Sequence, residues 1–282
     1  MSMLLRRLTY TDAEKGFRLT QQCGWPHRLV DWQLLLTLGE GYAMEHDGQV
    51  IGTVMAWRWG EHYASVGVVV VDNAWQGKGI GKQLMQTLMA DFPNQQLRLH
   101  ATQQGAILYE KLGFIARGSL SQFQTPQLAL IPPPVYPQGV EVRLATPDDR
   151  SQVEQLAYRA TGMPRPQLYD YLLHKQRIFV LSDSQGEIVG LMGCHCFGRG
   201  FSLGPCYIND SSGLTVLLQA VLSQLTGEFV RLDINEQWLD EAVLTHWGLQ
   251  RVDIPQIMVK AGQVPAFTPT AIEVTVMTPA LG

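Results

Sequence analysis

An apolar, β-branched run, Val68-Val69-Val70-Val71, leads through Asp72-Asn73-Ala74-Trp75 into Gln76-Gly77-Lys78-Gly79-Ile80-Gly81-Lys82. The run reads as a buried strand. The glycines open a helix whose apolar positions, Ile80, Leu84, Met85, Leu88, Met89 and Phe92, share one face. Lys82, Gln83, Gln86 and Asp91 take the other. A strand feeding a glycine-rich helix start is a place for phosphate. The first turn of a helix leaves N–H groups unpaired and carries the positive end of the dipole. Without a Cβ, glycine lets an anion come close to those groups. Lys78 and Lys82 add positive charge at the same end.

Two common phosphate motifs fail here. A P-loop needs glycine five residues before the Gly-Lys pair and Ser or Thr after it. Gln76 and Gln83 stand there instead. The dinucleotide fingerprint needs a third glycine three residues after the second, where Lys82 or Leu84 stands. Gln76-Gly77-Lys78-Gly79-Ile80-Gly81 does fit Gln-x-x-Gly-x-Gly. In this it resembles the acyl-CoA pyrophosphate loop of the GNAT superfamily of N-acetyltransferases. Val71-Asp72 before it, and Leu84 and Leu88 after it, fit the same pattern. A second segment, His100 through Thr102, Gly105 and Tyr109 to Leu112-Gly113-Phe114, resembles that family's next strand end, helix and Leu-Gly-Phe ending.

Composition frames the reading. The chain has 282 residues, 46% hydrophobic and 16% charged, with net charge −4. That length suits one large or two ordinary domains. No apolar run approaches the roughly 20 residues of a membrane span. The first residues lack the charged-then-apolar order of a signal peptide. Without a basic tract, nucleic acid is not expected as a partner. Cys194, His195, Cys196 and Cys206 could be drawn as a metal site. Their alternation in an apolar strand points instead to half-buried packing, and no metal is expected. Such cysteine usage suits a reducing cytoplasm.

The same plan occurs twice. Arg7 to Asp12 echoes Arg143 to Asp148 at an offset of 136 (143 − 7). Asp47 to Gly52 echoes Gln185 to Gly190 at 138 (190 − 52), and Leu112-Gly113-Phe114 echoes Trp247-Gly248-Leu249 at 135 (248 − 113). Near-constant offsets imply two copies of one domain. Pro132-Pro133-Pro134 in the stretch 131–139 reads as a stiff linker. The expected division is 1–131, a linker at 132–139, a second domain at 140–262 and a C-terminal tail at 263–282, whose Ile272, Val274 and Val276 alternate as a last strand. Each domain is expected to be α+β, with helices flanking a mixed, mainly antiparallel sheet. The resemblance further implies two splayed middle strands. Leu203 to Leu214 replaces the glycine loop in the second copy and retains little of it, so that copy is not expected to bind CoA. Completing the substrate pocket or mediating dimerisation are its expected tasks.

The resemblance implies an acetyl-CoA-dependent N-acetyltransferase. The pyrophosphate would rest on Gln76, Gly77, Lys78, Gly79, Ile80, Gly81 and Lys82, and pantetheine would run along Val69, Val70 and Val71. One strand N–H would polarise the thioester carbonyl. Thr102 and Gly105 would meet the CoA arm, although Thr102 replaces the family's usual asparagine. Tyr109, matching the family's tyrosine, would serve the leaving thiolate. No nucleophile arrangement is evident, so transfer to an amine is expected to be direct. Glu45, Glu61, His62 and His100 are the candidate bases, with none preferred. Trp25, Pro26, His27 and Trp32 either border an acceptor or pack helices. A small-molecule amine is the expected acceptor. A peptide amine, or CoA binding without turnover, is the alternative.

Overall fold

The computed structural model describes residues 3–282, the Glu236 side chain excepted. The chain forms two compact units: Met1–Gly118 with Gln256–Pro265 and Ala280–Gly282, and Ser119–Pro255 with Ala266–Pro279.

The first unit runs β1 (Met3–Arg7), α1 (Ala13–Gln22), α2 (Leu29–Leu38), β2 (Glu40–His46), β3 (Gln49–Trp59), β4 (Tyr63–Val71), α3 (Ile80–Ala90), β5 (Gln96–Ala101), α4 (Gln103–Lys111) and β6 (Ile115–Ser119). The second runs β7 (Ser121–Thr125), β8 (Glu141–Leu144), α5 (Arg150–Thr161), α6 (Pro166–Lys175), β9 (Arg177–Ser182), β10 (Ile188–Phe197), β11 (Gly200–Ile208), α7 (Leu214–Leu222), β12 (Val230–Ile234), α8 (Glu241–His246) and β13 (Gln250–Asp253). Two strands follow, β14 (Gln256–Lys260) and β15 (Ile272–Thr275). The sheets are ordered β1-β2-β3-β4-β5-β14-β6 and β13-β7-β12-β15-β11-β10-β9-β8. Each is mixed and mainly antiparallel, with helices packed on it, so the α+β reading holds.

The division differs from a cut at residue 131. β14 enters the first sheet between β5 and β6, pairing with β5 from Gln256 opposite Ala101 to Lys260 opposite Leu97. β7 joins the second sheet, pairing with β12 from Ser121 opposite Ile234 to Thr125 opposite Val230. Its Ser121, Phe123 and Thr125 are buried. Leu128 and Ile131 belong to the second core, so the proline-rich stretch follows chain already committed to that unit. The tail is divided too: β15 lies in the second sheet, and Ala280–Gly282 in the first unit.

Duplication is visible in side-chain detail. Thr9 and Asp12 form a capping box, as do Thr146 and Asp149. Arg6 donates to both Asp12 oxygens at 2.8 Å, and Arg143 to both Asp149 oxygens at 2.7 and 2.8 Å. The equivalent arginine is therefore Arg6, not Arg7, and the local offset is 137 (149 − 12) rather than 136. The doublet Arg6-Arg7 hid this one-residue slip. The Asp47-Gly48 turn has both φ positive, 48° and 80°, which suits a tight hairpin between β2 and β3. On α3, Ile80, Leu84, Met85 and Leu88 are buried on the sheet as their spacing requires.

Burial opposes ionisation of Asp12, but the hydrogen bonds from Arg6 and Thr9 outweigh it and lower its pKa from 3.8 to about 2. A carboxylate with a depressed folded pKa stabilises above its unfolded pKa, and the contribution is lost as pH falls through the folded value. Asp12→Asn is expected to destabilise the first unit by about 2 kcal/mol near neutral pH. The difference from the unchanged protein should shrink between pH 4 and pH 2. Urea unfolding followed by tryptophan fluorescence measures it, because Trp25, Trp32, Trp57, Trp59 and Trp75 all lie in this unit.

Candidate functional site

β4 and β5 are parallel neighbours that pair over three positions only: Tyr63 with Gln96, Ala64 with Leu97 and Ser65 with Arg98. Beyond them the strands part. The cause lies on the other side of β4. Thr53 of β3 pairs with Val70 and Met55 with Gly67, so Val68 and Val69 together oppose Val54. This is a β-bulge, which bends and twists its strand. Val68 takes φ +50°, a conformation that costs a β-branched residue free energy. The buried Thr53 hydroxyl holds it there, donating to the Val68 carbonyl at 2.9 Å. Sequence reasoning missed Thr53, and no local pattern marks it.

The bulge decides which backbone groups face the opening. Asp72 N–H bonds to Ile51 O of β3, and Val70 pairs with Thr53. By alternation, Val69 and Val71 turn their groups away from β3. Gln76 Nε2 donates to Val71 O at 3.1 Å. The expected cofactor strand thus narrows to Val69 and the Val71 N–H, while Val70 is buried and committed to the sheet.

The glycine segment meets this opening. Asp72 accepts from Ala74 N–H at 2.9 Å and sets the turn after β4. Gly77 and Gly79 have φ of +74° and +80°, so loop shape accounts for both. Gln83 N–H bonds to Gly79 O, and the N–H groups of Ile80, Gly81 and Lys82 precede the first helical hydrogen bond. Gly81 differs from its neighbours. A Cβ there would lie 3.5 Å from Leu108 and 3.7 Å from Val71, in ordinary contact. Packing does not demand glycine at 81. Lys82 is exposed. The Lys78 ammonium stands 4.3 Å over the Trp75 ring, which itself lies against His46.

α4 presents Tyr109 from the same side. Thr102 caps this helix, accepting from Gly105 N–H at 3.2 Å. A Cβ on Gly105 would come within 3.0 Å of the Tyr109 ring, so the tyrosine explains that glycine. Tyr109 is buried in the cluster that includes Leu84, Leu99 and Phe114. Burial alone pushes its phenol well above the usual value. The group keeps its proton and is therefore a hydrogen-bond donor rather than a ready acid.

The other candidates scatter. Glu45 is ion-paired with Arg6 at 2.7 Å. Glu61 and His62 sit in the turn before β4, at the end away from the glycine segment, and His62 Nδ1 lies 3.1 Å from Gln263 O. Leu97, Leu99 and Ala101 face the α3 and α4 core, so Arg98 and His100 take the opposite face of β5. His100 is thus the one candidate base beside the parting strands. Trp32 is wholly buried, packs on Gly16 and donates to Thr20, so it belongs to the core.

The second unit repeats the geometry and then closes it. β11 and β12 pair in parallel from Phe201 with Val230 to Leu203 with Leu232, and a bulge lies opposite Gly193. β15 then enters, pairing Ile208 with Ile272 and Cys206 with Thr275 on one side and Ile234 with Thr275 on the other. α7 begins after Gly213 at φ −86°, without a left-handed turn. A Cβ on Gly213 would strike Leu181, so packing explains this glycine. Among the described residues, no cluster of His, Cys, Asp and Glu suits a metal, and no helix is long and apolar enough to cross a membrane.

Both halves of the chain resemble known proteins. Residues 38–116 match one family model of the acetyltransferase (GNAT) domain, and residues 153–269 match another. Over 109 residues the chain is 31% identical to YitH of Bacillus subtilis (strain 168), described as an uncharacterised N-acetyltransferase. That match spans 38% of each chain, well short of the relative's full length. A crystal structure from Pyrococcus horikoshii, described as that of a proposed acetyltransferase, superposes with a TM-score of 0.77 at 18% identity, covering 99% of this chain and 96% of that one. A tandem GNAT protein from the clavulanic acid biosynthesis pathway superposes with a TM-score of 0.62 at 14% identity, covering 94% of this chain and all of that one. Both structures share the fold of this chain.

The contrast between the glycines is measurable without ligand. Gly79→Ala should lower the stability of the first unit by about 1 kcal/mol, the cost of a left-handed alanine. Gly81→Ala should leave it unchanged or raise it by about 0.5 kcal/mol. Equilibrium unfolding of both variants checks this, and a large loss at 81 would mean that packing does require that glycine.

Proposed function

This chain belongs to the GNAT acetyltransferase family in both of its halves, and on that premise we propose that its first unit moves an acetyl group from acetyl-CoA to a primary amine of a small molecule. One observation carries the reading. In the first unit two parting strands leave an opening beside a glycine-rich helix start, whereas in the second unit β15 fills the same opening.

The residues present fit acetyl-CoA. Ile80, Gly81 and Lys82 offer N–H groups at the positive end of α3, and Gly81 leaves the space a pyrophosphate oxygen needs. Val69 and the Val71 N–H offer strand-like partners to a pantetheine amide. Acetyl-CoA, when bound, supplies the activated thioester. The Val69 N–H would polarise a carbonyl drawn into the opening. Tyr109, held protonated by burial, donates to a departing sulfur and steadies its negative charge. The proton lost by the amine balances the thiol that forms. His100, directly or through water, is the candidate to take it first. Transfer is direct: the C–N bond forms as the C–S bond breaks, in a complex holding both substrates.

Calorimetric titration with acetyl-CoA should give one site per chain. Two sites would overturn the assignment of the second unit, and no binding at millimolar ligand would overturn the transferase reading. Gly81→Ala should weaken binding about tenfold, or about 1.4 kcal/mol. Tyr109→Phe should lower kcat by about 10²-fold with acetyl-CoA affinity intact. Unchanged turnover in Tyr109→Phe removes the phenol from the chemistry.

A further inference from the structure

The face of β4 opposite α3 carries a segment of chain from far along the sequence. Ala64 and Val66 face the α3 and α4 core, so Ser65 and Gly67 take the other face. The buried Ser65 hydroxyl accepts from Trp59 Nε1 at 2.7 Å and donates to Leu281 O at 2.8 Å. A Cβ on Gly67 would stand 2.8 Å from Ala280 Cα and 3.0 Å from Ala280 Cβ. Glycine is required at 67 because the backbone of another segment lies directly on it. Leu281 is buried, and Ala280–Gly282 are part of the first unit. Three close-fitting residues thus cover β4 where its pairing with β5 ends. Gly67 immediately precedes the bulge, and Val69 lies two residues on, about 7 Å along the strand.

We propose that Ala280–Gly282 form a strap over the acceptor side of the site, excluding water and limiting the bulk of the amine that reaches the thioester. This rests on the transferase reading, because the strap matters only if a thioester is held at Val69. Arg98 and His100 lie on this same face of the neighbouring strand, so an amine approaching His100 passes alongside the strap. The glycine segment and Tyr109 belong to the other side, so the strap should leave acetyl-CoA binding alone.

Two variants test the strap. One ends the chain after Pro279. The other, Gly67→Ala, keeps every strap residue but forces the segment off β4. Each is compared with the unchanged protein for acetyl-CoA affinity by calorimetry. Thiol release is then measured in water alone and with straight-chain alkylamines of increasing length. Expected are affinities within about twofold of the unchanged protein and water-dependent thiol release raised roughly tenfold. The KM for longer amines should fall relative to that for short ones. Unchanged thiol release and amine preference in both variants, at unchanged affinity, would overturn the strap. Loss of acetyl-CoA affinity in both would also overturn it, since the segment would then serve the cofactor side. If the shortened chain does not fold, Gly67→Ala decides alone. Failure of the unchanged protein to bind acetyl-CoA is a separate result, and overturns the underlying transferase reading together with the strap.

Discussion

Two adjacent parallel strands that stop pairing inside a sheet leave backbone N–H and C=O groups without partners. Such groups must be satisfied by water, by a ligand or by more chain. Nearly everything particular to this protein follows from how each unit meets that demand. The parting of β4 from β5 follows a bulge at Val68 that Thr53 clamps through the Val68 carbonyl. Because Val70 pairs with Thr53 just past the bulge, alternation turns Val69 and Val71 away from β3 and leaves Val70 bonded to it. The glycine segment then turns immediately after β4, which brings the positive end of α3 to the same opening.

The second unit answers the demand with chain. β15 satisfies β11 along one edge and β12 along the other. Its helix start has lost the left-handed glycine, and Leu181 takes up room at Gly213. The bulge and the capping box with its arginine remain. Those features hold the fold and do not depend on a ligand, so they persist when the opening is filled. The double resemblance and the difference between the two openings therefore have one explanation.

Much of this was legible in the sequence because it rested on local chemistry. The spacing of Ile80, Leu84, Met85 and Leu88 gave the buried face of α3. Asp47-Gly48 gave a hairpin, and Ile272 with Val274 gave the last strand. The glycines at 77 and 79 signalled an unusual helix start. What escaped notice depended on distant partners. Ser121, Phe123 and Thr125 alternate like any strand, but no local feature says that β12 rather than the preceding sheet receives them. β14 likewise reads as an anonymous strand until β5 is found beside it. The proline run looked like a boundary, although Ile131 just before it was already buried in the second core. The slip between Arg6 and Arg7 arose because only bidentate contact with Asp12 tells the two arginines apart. Val68 carried no sign of its positive φ, since valine is among the residues least suited to it.

The contrast between the units also bears on why the opening survives in the first. An unmade buried hydrogen bond costs about 1–3 kcal/mol, and filling the gap with a strand removes several such costs together. The second unit shows that this chain can do so with a segment of four residues, Ile272–Thr275. The first unit holds a segment of its own nearby, Ala280–Gly282, yet that segment lies on the face of β4 at Ser65 and Gly67 instead of entering beside Val69. Val68 is meanwhile held in a costly conformation by a buried hydroxyl, and Gly81 is kept where alanine would fit the protein as well or better. Open backbone, strain and an unneeded glycine at one place are each unfavourable for folding alone. Together they mark the place where the needs of folding alone do not account for the residues present.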